Sequence, residues 1–155
     1  MKKLIAMGIA TILATSFLFV GCTAKEEKPA STTAKKEEKT YQYYKAEEVK
    51  DIVEKNKSAI ILDVQVKEDF DKHHIKGAIA TYAYPTKTAE DTAKLDAVIP
   101  KIKDSKDPVV VVCPGGKGGA TRAIDYLVGK GIDKSRFFIL EKGQGGWPYE
   151  NLLEK

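Results

Sequence analysis

The run PVVVVCPGGKGGATRAIDYLVGKG, residues 108–131, decides the fold. It opens on four consecutive valines, the continuous apolar pattern of a strand buried on both faces. It closes on a helical pattern, with Ala120, Ala123, Ile124, Leu127 and Val128 at i, i+3, i+4, i+7 and i+8 and Gly131 as the stop. Between strand and helix stand Cys113, then glycines at 115, 116, 118 and 119, then Arg122. A strand that feeds a helix through a tight glycine turn is the repeating unit of a parallel sheet, and such sheets carry their chemistry at the carboxyl ends of their strands. Cys113 stands at such an end.

The rest of the domain repeats the alternation. AEEVKDIVEKN (46–56) carries Ala46, Val49, Ile52 and Val53 at helical spacing, with its acids early, where the helix dipole favours them. AIILDV (59–64) reads as a second buried strand ending in Asp63. A short helical piece around KEDFDKHH follows, then Gly77 and the apolar segment AIATYAY, closed by Pro85. Residues 89–100 read as an amphipathic helix with Leu95, Val98 and Ile99 on one side, and RFFIL (136–140) as another strand. Strands alternating with helices predict an α/β domain whose central parallel sheet is covered on both faces.

The physics of the loop after Cys113 is that of an anion site. Glycines let successive N–H groups turn inward as a nest, and the next helix directs its positive end at the same point. A thiol placed there is expected as a nucleophilic thiolate. The plainer reading makes Cys113 a small buried hydrophobe at a strand end. Two other glycine loops fail on spacing. A nucleotide P-loop needs Ser or Thr after its Gly-Lys, where this chain has Gly118 after Lys117, and a dinucleotide fingerprint asks for no cysteine and for a later acid at a second strand's end. One Cys and two adjacent His in the ordered part supply a metal site poorly, so no metal and no cofactor are expected.

The chain has 155 residues, 43% of them apolar, enough for one ordinary domain. Its formal charge is +4; without Lys2 and Lys3 there remain 24 basic against 22 acidic side chains, too weak a field to imply nucleic acid. MKK followed by 17 uncharged residues reads as an export leader over 1–21, with an uncleaved anchor as the alternative. FVGC (19–22) resembles a bacterial lipobox, which implies cleavage before Cys22 and lipidation of its thiol. Buried acyl chains, at roughly 0.8 kcal/mol per CH₂, would then hold the protein on a membrane of the cell envelope. Thr23, rather than an aspartate, follows Cys22, which by resemblance to lipoprotein sorting implies the outer membrane if the host has two. Residues 22–40 are Lys, Glu, Ser, Thr and Ala without a large apolar group, a tether reaching about 20–25 Å by random-coil scaling. The domain proper is expected over 41–155.

From Tyr41 onward the order ILDV, HIKGAI, VVVVC with its glycine loop, and GGW resembles a rhodanese domain. That resemblance implies a central five-stranded parallel sheet with helices on both faces. It also implies a chemistry, in which a cysteine takes a sulfane sulfur from a small anionic donor such as thiosulfate, holds it as a persulfide, and passes it to a thiophilic acceptor. Cys113 matches that cysteine, and the amides of Gly115, Gly116, Lys117 and Gly118 match the cradle. Asp63 and His74 match residues that hold the family fold. Departures are Arg122, nine positions after Cys113 where the family often has arginine inside a six-residue loop, which reads equally as a substrate-binding cation facing the anion or as a solvated charge, and Gln65 where it often has arginine. His73 replaces a usual glycine, and Trp147 comes sooner after the glycine pair than is customary.

Three functions follow as expectations. The first is a membrane-tethered sulfurtransferase whose acceptor is an external thiol, since lipidation of Cys22 leaves no second cysteine to resolve a persulfide. The second is a non-catalytic binding module in an envelope complex. The third is a rhodanese-related cysteine phosphatase, which wants cysteine and arginine five residues apart on one loop.

Overall fold

The computed structural model describes residues 40–155. The leader, Cys22 and the tether up to residue 39 lie outside the described residues. Among the described residues, no helix is long and apolar enough to cross a membrane.

The strands are β1 (Gln42–Tyr44), β2 (Ile60–Asp63), β3 (His74–Ile75), β4 (Ile79–Ala80), β5 (Val109–Val112), β6 (Phe137–Leu140) and β7 (Leu153–Glu154). The helices are α1 (Ala46–Glu54), α2 (Lys67–Lys72), α3 (Ala89–Ala93), α4 (Ile99–Asp104) and α5 (Gly118–Gly129). Five strands form one sheet in the order β1-β6-β5-β2-β4, and every pairing in it is parallel. β3 and β7 pair antiparallel as a separate two-stranded ribbon.

Period-2 alternation divides the sheet's side chains between two cores. Leu62, Val111 and Ile139 stand in register across β2, β5 and β6 and face α5, whose Ala120, Ala123, Ile124 and Leu127 are buried against them. Leu95, Val98 and Ile102 complete that side. Ile61, Val110, Val112 and Leu140 face the other way, onto Val49 of α1, Ile75, Trp147 and Leu152. The sheet is therefore covered on both faces, as its unbroken valine and isoleucine runs require.

The amphipathic stretch over 89–100 is not one helix. It is α3, a 3₁₀ turn over Lys94–Val98, and then α4. Pro100 is the cause, because it has no N–H for the carbonyl of Asp96 and its ring crowds that oxygen. The apolar side survives the break, with Leu95 and Val98 buried and Ile99 packed against them. AIATYAY contributes only Ile79–Ala80 to the sheet. Beyond it the chain stays beside β2 through single bonds, Thr81 N–H to Asp63 O at 2.9 Å and Tyr84 N–H to Val64 O at 2.7 Å.

Candidate active site

Cys113 follows the last residue of β5 and is 2% exposed. Its loop is braced by the chain leaving β6. Gln144 N–H donates to Cys113 O and Gly145 N–H to Pro114 O, both at 3.0 Å. That approach depends on a turn in which Lys142 has φ 63° and Gly143 φ 60°. A Cβ on Gly143 would collide with Cys113 O and Gly116 N and lie 2.9 Å from Gly115 N. The fit is mutual, since a Cβ on Gly116, itself at φ 62°, would lie 2.6 Å from Leu140 O and from Lys142 N. Two loops thus meet backbone to backbone, which only glycine at both contact points permits.

The remaining glycines have different reasons. A Cβ on Gly119 would sit 2.8 Å from the Tyr84 ring and 3.4 Å from Cys113 Cβ, so Tyr84 packs close to Cys113 across the start of α5. Gly118 leaves room for the Arg122 guanidinium, whose Nη1 would be 2.7 Å from an added Cβ. Gly115 is exposed, with nothing within 4 Å of an added Cβ. Two of the three glycines assigned to an anion cradle, Gly116 and Gly118, therefore also serve packing, as does Gly119 beside them. The thiol sits 4.0 Å from Lys117 O, the residue before α5, whose carbonyl also accepts Thr121 N–H at 3.2 Å. Lys117 itself is exposed.

Arg122 is the fifth residue of α5 and is half-buried. Its Nη2 donates to Pro85 O at 2.7 Å, and its Nε reaches Pro85 O and Thr86 O, each at 3.1 Å. The guanidinium is thus a clasp on the segment that carries Tyr84. That segment has Tyr82 at φ 57° and Thr86 at φ 62°, left-handed conformations that side chains adopt only when their surroundings hold them.

Asp63 is fully buried at the end of β2. Its Oδ1 accepts Gln65 N–H at 2.8 Å, and its Oδ2 has no hydrogen-bond partner among the described residues. Burial pushes its carboxyl up to about 7, against the opposing pull of the Gln65 N–H. Gln65 is 4% exposed and its Oε1 is equally unpartnered among the described residues, so no guanidinium pairs with the residue that stands where the resemblance implies an arginine. His74 stacks on Phe70 with centroids 3.7 Å apart, and its Nδ1 lies 3.0 Å from Phe70 O, which ties α2 to β3. His73 is exposed. Trp147 belongs to the core on the α1 side, with Nε1–H donating to Tyr149 O at 2.9 Å.

The structure brings Cys113, Gly115, Gly116, Lys117, Gly118 and Arg122 to one corner, with Asp63 beside it at the end of the neighbouring strand, in register with Val112, and leaves His74 as a support elsewhere. Tyr84, Lys142 and Gln144 join the corner without having been legible in the sequence. Gln144 is 5% exposed, and neither end of its amide has a partner among the described residues. No group of three or more His, Cys, Asp or Glu among those residues could hold a metal ion.

Known proteins show the same architecture. An As-Sb reductase from Leishmania major superposes with a TM-score of 0.56 at 18% identity, covering 74% of this chain and 85% of that one. The rhodanese-like domain of an Anabaena protein gives 0.53 at 25% identity over 70% of this chain and 74% of that one. A thiosulfate sulfurtransferase from Pseudomonas aeruginosa gives 0.54 at 23% identity over 74% of this chain and 20% of that one. No curated protein matches the sequence. The family profile described as Rhodanese-like domain matches residues 45–149, a span that holds the five-stranded sheet almost whole together with the Cys113 loop and its brace, and the chain belongs to that family.

Proposed function

We propose that this protein is a lipid-anchored sulfurtransferase of the cell envelope that carries a sulfane sulfur as a persulfide on Cys113. The observation that supports this reading is the position of the thiol: it lies just beyond the central strand β5, on a glycine loop that opens the 12-residue helix α5. In the first step the Cys113 thiolate attacks the outer sulfur of a donor such as thiosulfate. The Cys113–sulfur bond forms as the donor's S–S bond breaks, and sulfite leaves with the bonding pair. In the second step an external thiolate or cyanide attacks the outer sulfur and Cys113 departs as thiolate, so the cycle closes without an added oxidant or reductant. Helix dipole and loop amides stabilise the negative charge that the terminal sulfur carries between the steps.

Low exposure of the thiol favours one second reading, a binding module that uses the same loop without turnover. The phosphatase reading is weakened, because Arg122 spends its donors on Pro85 and Thr86 rather than on the loop. Cys113→Ser separates the first two. For a sulfurtransferase it abolishes sulfur transfer from thiosulfate to cyanide while the melting temperature stays within about 2 °C, since Ser nearly matches the thiol in volume. Full activity in that variant would refute the assignment.

A further inference from the structure

We infer that Lys142 is an anion-recognition residue of the Cys113 site, forming with Lys117 a cationic rim that concentrates an oxyanion-bearing sulfur donor at the thiol; the choice of donor rests on the sulfurtransferase reading. Lys142 sits at φ 63° and is exposed. A non-glycine residue there costs roughly 1 kcal/mol that glycine would avoid. A residue kept in such a conformation points to what its side chain does.

The side chain is placed by the turn it stands on. An added Cβ on Gly146 would collide with Lys142 Cβ and lie 3.5 Å from both Cγ and Cδ, so the lysine stem lies along Gly146 in space left by the missing side chain. The backbone of Lys142 touches the active loop directly, its N being 2.6 Å from where a Gly116 Cβ would stand. The stem therefore runs over the 143–146 turn, the same turn that bonds Cys113 O and Pro114 O. Lys117 is carried on the facing loop, and among the described residues no carboxylate lies within ion-pair distance of either lysine. Charges a few ångströms to one Debye length from a buried nucleophile act on the local concentration of anions without touching the reacting atoms.

The test compares alkylation of Cys113 by anionic iodoacetate and neutral iodoacetamide in the full chain, with peptide mass spectrometry following Cys113 separately from Cys22. The rate ratio of the two reagents reports the potential at the thiol whether or not the protein transfers sulfur. Lys142→Gln keeps the stem and removes the charge; it is expected to lower the ratio by about two- to fivefold at low salt, with Lys142→Arg restoring it. Lys142→Gly should lower it equally while relieving the left-handed turn. A ratio unchanged in Lys142→Gln, or a wild-type thiol that neither reagent reaches, would overturn the inference. Failure of the sulfurtransferase reading would show separately, as a wild-type protein that gains no sulfur from thiosulfate.

Discussion

Gly143 lies so close to Cys113 that a single added methyl would overlap the cysteine's carbonyl oxygen. The end of β6 is thereby the mould for the loop that follows β5, and the two bonds from Gln144 and Gly145 keep it there. Site geometry is set by one strand end pressed on another, more than by the active loop's own sequence.

Substitution at the two ends of that contact should be sharply unequal to substitution beside it. Gly143→Ala and Gly116→Ala each combine a positive φ with a backbone collision, and each is expected to destabilise the fold by about 2–4 kcal/mol and to slow persulfide formation. Gly115→Ala meets nothing within 4 Å and should change stability by less than about 1 kcal/mol. Urea denaturation of the three variants checks the ranking, and equal costs would mean the brace is not rigid.

Asp63 predicts an unusual pH dependence. Its carboxyl is raised from 3.8 to about 7 in the fold, so below about 3.8 both folded and unfolded chains are protonated and the stability is fully present. Between about 3.8 and 7 the unfolded chain ionises while the folded one keeps its proton, so stability falls across that window and levels off above it. At about 1.4 kcal/mol per pKa unit the loss is of order 4 kcal/mol by pH 8. Asp63→Asn keeps the acceptor for Gln65 N–H and cannot ionise. Denaturation midpoints at pH 5 and pH 8 should therefore diverge in the wild type far more than in the variant.

Lys117 and Arg122 should fail in different ways. Lys117 is exposed, and Lys117→Ala is expected to raise the KM for an anionic donor about two- to fivefold without moving the melting temperature. Arg122 clasps two backbone carbonyls of the Tyr84 segment, so Arg122→Ala should cost about 1–3 kcal/mol in stability and lower kcat by loosening the segment that packs beside Cys113. Thermal melts paired with steady-state kinetics decide it. A KM effect larger in Arg122→Ala than in Lys117→Ala would make Arg122 the donor's cation.

Much of this was legible because the informative residues are local. Four valines before Cys113 and the 3.6-residue spacing after it determine strand, turn and helix through nearest-neighbour physics alone. What stayed hidden depends on distant partners. β1, a three-residue edge strand largely exposed, has no burial pattern to betray it, and β3 and β7 are two residues each. The packing use of Gly116 and Gly119 is invisible until Gly143 and Tyr84 arrive from elsewhere in the chain. Arg122 read equally well as an anion ligand or a solvated charge; its carbonyl partners lie 36 and 37 residues away. Lys142 gave no signal, because a left-handed φ at lysine is imposed by the tertiary fit.

Mass spectrometry of the full chain before and after thiosulfate, and again after cyanide, tests the central claim most directly. The account predicts a gain of one sulfur that maps to Cys113, is removed by cyanide with release of thiocyanate, and is absent in Cys113→Ser. A Cys113 that stays at its unmodified mass across thiosulfate and other sulfane donors would contradict it.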